Sequence, residues 1–168
     1  MNAEYRRTRS IQVPVHADEV PLVRGSVLVI LREWGIPDAD DAAQAVRLIV
    51  SELLTNVVLH ASAATVEARV TVELLNGDRI RLGVHDSHPA WPSLRRSDAN
   101  TPHGRGLLIV HALLEELSGV MFVERTSDGG KTVWAVLPHS GHARIAEPGS
   151  GGAAGMPLPV FQAESSAA

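Results

Sequence analysis

The sequence predicts a two-layer α/β sandwich: a mostly antiparallel mixed sheet with three helices covering one face. Three observations lead there. Two pairs of segments that alternate apolar and polar residues are each joined by a short turn, which makes hairpins and hence antiparallel neighbours. Each strand keeps one polar face, so the sheet needs cover on one side only. Three further segments carry apolar residues at helical spacing and can supply that cover. The expected order is β-α-α-β-β-loop-α-β-β.

Each element has its own signature. Arg9 to His16 alternates Ile11, Val13 and Val15 with polar residues, and Pro14 suggests an edge strand. Asp18 is a candidate N-cap for the first helix, whose stripe is Val20, Val23, Val27, Ile30, Leu31 and Trp34; Gly35 and Pro37 end it. Asp38, Asp40 and Asp41 open a second helix running to about Ala61, with Val46, Ile49, Val50, Leu53 and Val57 on one face. Val66 to Leu74 alternates as a strand, "NGD" (Asn76 to Asp78) is a hairpin turn, and Ile80, Leu82 and Val84 face inward on the return. Residues Ser87 to His103, with Pro89, Pro92 and Pro102, read as a lid-like loop. A third helix spans Leu107 to Leu117 and is closed by Gly119; Val120 to Arg125 and Thr132 to Leu137 form the last hairpin across "SDGG". The chain thus divides into an N-terminal extension (1–8), one domain (9–138) and a flexible Gly, Ala, Pro and Ser-rich tail (139–168).

Composition removes several function classes. Of 168 residues, 45% are apolar, enough for one real core, and the formal net charge of −4 gives no overall basic field for nucleic acid. The absence of Cys excludes disulfides and thiolate metal sites. The N-terminus lacks the apolar run of a secretory signal. The longest aliphatic run, Val27 to Leu31, is far too short to span a bilayer. The expectation is a cytoplasmic protein without direct contact to nucleic acid or membrane.

Four polar exceptions carry the chemistry. In "SELLTNVVLHA", Glu52, Asn56 and His60 recur every fourth residue at the border of the apolar face, with His60 pointing further inward. A carboxamide oxygen suits Mg²⁺, which keeps waters and takes ligands from phosphates, and a nearby carboxylate can accept a proton; a solvated polar edge is the competing reading. Asp86 falls on the inward parity of its strand, where it can accept from an exocyclic amine such as adenine's, cap the loop, or pair with a buried Arg. "HGRGL" places Gly104 and Gly106 around Arg105 at a helix start, suited to phosphate or simply to a tight turn. In "GGKT", Lys131 or Thr132 can touch phosphate, although an ordinary hairpin turn explains the glycines as well.

In this order the four exceptions resemble a known family. "ELLTNVVLHA" looks like the N-box of the GHKL ATPase superfamily, "VHDSHPAWP" like its G1 box and "HGRGLLIVHAL" like its G2 box. With a short lid and an N-terminal strand and helix, the chain is most similar to the anti-sigma factor serine/threonine kinases, over about Ile11 to Leu137. The resemblance implies the Bergerat ATP-binding fold. It makes ATP and Mg²⁺ the cofactors, with Glu52 as general base and Asn56 as metal ligand. Nucleotide contacts would come from Asn56, His60, Asp86, Gly104, Arg105, Gly106, Leu107 and Thr132. It implies a homodimer that phosphorylates a serine or threonine on an anti-anti-sigma (STAS-type) partner and sequesters a sigma factor. The alternative is a non-catalytic binding module of the same fold. Where the superfamily has glycines after the G1 aspartate, this chain has Ser87, His88, Pro89 and Ala90, and it has one lysine, Lys131. The first departure predicts a weak hold on adenine; the second leaves Arg95, Arg96 or Arg105 to grip phosphate.

Overall fold

A computed structural model describes residues 5–76, 78–92 and 105–139. Eight elements follow one another: β1 (Tyr5–Pro14), α1 (Glu19–Glu33), α2 (Asp41–His60), β2 (Glu67–Leu75), β3 (Arg79–Asp86), α3 (Gly106–Glu116), β4 (Val120–Arg125) and β5 (Lys131–Pro138). The strands form one sheet in the order β1-β2-β3-β5-β4, and every neighbouring pair is antiparallel. The helices pack on one face, α1 and α2 side by side and α3 beside α2 over β4 and β5. The two-layer sandwich expected from the pattern is the fold observed.

Strand parity builds the core. Val70 and Val72 on β2, Ile80, Leu82 and Val84 on β3, and Val133, Ala135 and Leu137 on β5 all face the helices and are buried. Against them α2 sets Val46, Ile49, Val50, Leu53 and Val57, all buried, the face its periodicity predicts. With 20 residues and a mean hydropathy of 1.4, α2 has the length and composition to cross a membrane, but half of that window is buried inside the domain, as in a core helix.

Helix ends follow local chemistry. Asp40 caps α2, its side chain accepting from the Ala42 N–H at 2.8 Å. Asp18 precedes α1 but makes no such side-chain bond. Gly35, at φ 88°, ends α1 in a Schellman motif: Ile36 N–H donates to the Leu31 carbonyl and Gly35 N–H to that of Arg32. At the end of α3 the left-handed residue is Ser118 (φ 56°), not Gly119. Gly119 is required for another reason, because a Cβ there would lie 2.6 Å from the Val136 carbonyl oxygen.

Several boundaries differ from the sequence pattern by a few residues, and the starts of β1 and β2 matter most. β1 begins at Tyr5, so residues 5–8 belong to the sheet and not to an extension. Their polar side chains hid a strand whose pairing comes from β2. Val66, expected inward, is 87% exposed because β2 starts one residue later. The lid beyond Pro92, with Arg95 and Arg96, and the tail beyond His139 lie outside the described residues.

The helix-free face of the sheet is not uniformly polar. Trp134 on β5 is only 8% exposed. Its ring covers Gly83 on β3, its indole N–H donates to Glu124 at 2.8 Å, and the Arg81 guanidinium stacks 4.4 Å from its centre. Arg81 is ion-paired to Glu73. A Cβ at Gly83 would fall 2.3 Å from the indole. Gly83→Ala is therefore expected to cost about 1–3 kcal/mol by overpacking. The check is a lower urea midpoint at unchanged slope, with an altered near-UV signal from Trp134.

Candidate functional site

A cavity of about 440 Å³ opens between α2, α3 and the ends of β3 and β5. Glu52, Asn56 and His60 form its α2 wall, one helical turn apart. Arg105, Gly106 and Leu107 form the opposite wall at the start of α3. Asp86 and Lys131 close one end, and His88 and Trp91 overhang it from the loop after β3. Eight of the residues singled out in the sequence thus come together: Glu52, Asn56, His60, Asp86, Arg105, Gly106, Leu107 and Lys131. Gly104 lies outside the described residues.

Glu52 and Asn56 are half-buried, as a border position on α2 requires. The Glu52 carboxylate rests against the first turn of α3: a Cβ on Gly106 would sit 2.3 Å from Glu52 Oε2. Gly106 thereby lets α2 and α3 approach, and the negative carboxylate meets the positive end of the α3 dipole. His60 departs from expectation. It is exposed on the cavity rim, because the last turn of α2 overhangs the cavity and "inward" there means toward open space.

Asp86 is 2% exposed at the end of β3. Its Oδ1 accepts from the His88 N–H at 2.9 Å and from Lys131 Nζ at 2.7 Å, and Nζ also donates to the His88 carbonyl at 2.9 Å. It therefore both caps the loop and pairs with a cation, and that cation is Lys131 where an Arg was anticipated. Gly130 makes the contact possible, since a Cβ there would meet the Asp86 carbonyl oxygen at 2.3 Å. Sequence reasoning did not find Thr65, which is 2% exposed and whose hydroxyl accepts from Ser87 N–H at 3.1 Å, fixing the start of the loop. A polar residue just before a strand was the only signal.

Thr132 does not line the cavity. Asp86 is paired with Lys131 and His85 with Thr132, so strand alternation sends Lys131 to the helix side and Thr132 to the opposite face. On that face His85 Nε2 lies 3.2 Å from Thr126 Oγ1 and 3.2 Å from Asp128 Oδ2, bracing the β4–β5 turn. The Thr126 hydroxyl, then the Gly130 N–H, lower the Asp128 carboxyl from 3.8 to about 2.

The donor set fits a divalent ion only in company with a ligand. Among the described residues there is no group of three or more His, Cys, Asp or Glu able to hold a metal. One carboxamide, Asn56, faces the cavity, which suits an ion that takes most of its shell from water and phosphate oxygens.

Comparisons with known proteins bear on the family and the fold. Residues 13–137 match the Histidine kinase-like ATPase domain family. The chain resembles a crystal structure of the RsbU and RsbW domains of Rv1364c from Mycobacterium tuberculosis, with 20% identity and a TM-score of 0.59. That match covers 84% of this chain and 35% of the other, so the chain spans about a third of that protein's structure. It also resembles the histidine kinase domain of a blue-light activated histidine kinase from Erythrobacter litoralis EL346. There the identity is 22% and the TM-score 0.46, over 74% of this chain and 61% of the other. Comparison with curated proteins gives no match. The fold and the cleft define a GHKL-type α/β sandwich. The chain belongs to the histidine kinase-like ATPase domain family, and that membership implies ATP binding.

Two outcomes test the carboxylates on the two faces of the sheet. Asp86→Ala strands a buried ammonium and is expected to cost about 3–5 kcal/mol; adding Lys131→Met should return part of it, as read by urea unfolding. The Asp128 carboxyl should titrate near 2 by carbon NMR. Because its folded value lies below the unfolded one, its contribution to stability is present above the ordinary carboxylate range and is lost as pH falls toward 2. Thr126→Val should move the midpoint up.

Proposed function

We propose that this chain is a Mg²⁺-ATP-dependent protein serine/threonine kinase acting as an anti-sigma regulatory factor. The observation that carries this reading is the placement of Glu52 and Asn56, one turn apart on one wall of the cavity, with Glu52 against the first turn of α3. Asp86 lies at the other end, where an adenine amine would be received. Asn56 would hold Mg²⁺, which when bound neutralises charge on the phosphates. Glu52 takes the proton from a serine or threonine hydroxyl as its oxygen bonds to the γ-phosphorus and ADP departs. Arg105 adds positive charge at the phosphate end, and His60 stands at the rim. The partner assignment, an anti-anti-sigma (STAS-type) substrate and a sequestered sigma factor, is supported by the N-box, G1 and G2 resemblances. It is consistent with the fold shared with a structure that includes an RsbW domain.

A second reading, a non-catalytic binding module, is favoured by one observation: Ser87, His88, Pro89 and Ala90 follow Asp86 where the superfamily has glycines. Calorimetry with Mg-ATP separates the two, since absence of heat at millimolar nucleotide removes the kinase. If binding is present, Glu52→Gln should leave nucleotide affinity unchanged and lower phosphoryl transfer to a recovered partner about a hundredfold or more. Unchanged transfer would remove the base assignment. Asn56→Ala should abolish the Mg²⁺-dependent part of ATP affinity, read as the difference between titrations with and without the ion.

A further inference from the structure

Lys131 is the only lysine in the chain, and the fold buries it to 5% exposure at the end of the cavity. An ammonium has three N–H donors. Two are spent among the described residues, on Asp86 Oδ1 at 2.7 Å and on the His88 carbonyl at 2.9 Å. Asp86 in turn makes both of its contacts among the described residues through Oδ1, with Lys131 and with the His88 N–H. One ammonium N–H and the carboxylate Oδ2 are therefore without a partner among the described residues, on two residues that both line the cavity. These partners sit on β3 and the loop after it, so Lys131 belongs to this end of the cavity and not to the first turn of α3.

A buried carboxylate alone can recognise only a hydrogen-bond donor. With an ammonium against it, the site recognises a donor and an acceptor together. The amidine edge of a 6-aminopurine offers that combination, because its exocyclic amine donates and the adjacent ring nitrogen N1 accepts. We propose that Lys131 is a specificity-determining residue of the base subsite, its ammonium donating directly to adenine N1 while Asp86 Oδ2 accepts from the amine. The proposal rests on the nucleotide-site reading above and deepens it. The ion pair is electrically neutral, so it reads the shape of the edge and does not draw in charge. Residues with no donor of their own at this position would leave N1 to water. The lactam edge of guanine carries the same two functions in the reverse order and would have to slide along the pair to use them.

The test is calorimetry on the full chain with Mg-ATP, the 1-deaza analogue of ATP with Mg²⁺, and Mg-GTP. The analogue replaces ring N1 by CH and keeps the amine, sugar and phosphates. The unsubstituted protein is expected to bind the analogue about ten- to a hundredfold more weakly than ATP, the loss of a hydrogen bond to a charged group. Lys131→Met should bind the two alike; if that variant does not fold, the comparison on the unsubstituted chain decides. Equal affinity for ATP and the analogue overturns the proposal, as does tighter ATP binding by Lys131→Met or a preference for GTP. Each of these leaves a nucleotide site standing. Binding of none of the three removes the nucleotide reading itself, and the proposal with it.

Discussion

The register of β3 against β5 holds the rest of the structure in place. It joins two hairpins into one sheet and ends with Asp86 opposite Lys131. Slipping β5 by one residue would send Val133, Ala135 and Leu137 to the helix-free face and carry Lys131 with them. Asp86 would then be buried without a counter-charge, a change that costs far more than the pair itself contributes. Apolar parity and the ion pair therefore specify the same register independently. Gly130 belongs to the same constraint, since only a residue without Cβ lets β5 begin this close to the Asp86 carbonyl.

The cleft follows from where the two layers stop covering each other. Through its first half α2 presents Ala42, Ala43 and Ala45 to the interior and packs closely. Toward its end one side of it lines the cavity, and Leu59 is 46% exposed. A row of polar residues in a core helix would be destabilising if buried without partners. Glu52 and Asn56 avoid that because their side of the helix faces the cleft. The third helix completes it, and Gly106 sets how near its first turn comes to Glu52.

The order of elements, the core faces and most of the site were legible in the sequence because each rests on local periodicity. Val46 through Val57 on α2 and Ile80 through Asp86 on β3 needed no knowledge of what they pack against. What could not be read locally is what depends on a distant partner. β1 is longer than its alternation shows because β2 pairs with Arg7 and Thr8. His60 turned out exposed because its side of α2 lines the open cavity. The choice between Lys131 and Thr132 hinged on a one-residue parity that only the pairing with β3 decides. The partner of Asp86 was open for the same reason: alternation says that a carboxylate points inward, but not which cation, 45 residues later, will meet it.

The two ends of the cleft are built differently. At the Asp86 end three strands converge: Asp86 comes from β3, Lys131 from β5, and Arg125 from the end of β4. Arg125 donates to the Pro89 carbonyl at 3.2 Å, and its guanidinium stands 5.2 Å from the Trp91 ring. The loop after β3 is thus tied down at His88, Pro89 and Trp91, and from beneath by Thr65. Groups fixed in this way lose little freedom when a ligand arrives, so hydrogen bonds made there discriminate well. The other end is two helix surfaces meeting at a glycine, with Arg105 reaching from an exposed position just ahead of α3. Charge at such an end attracts and can follow a moving group, but it reads little. Under the proposed function, discrimination among ligands would therefore belong to the strand end and its ion pair, and phosphoryl transfer to the helix end beside Glu52.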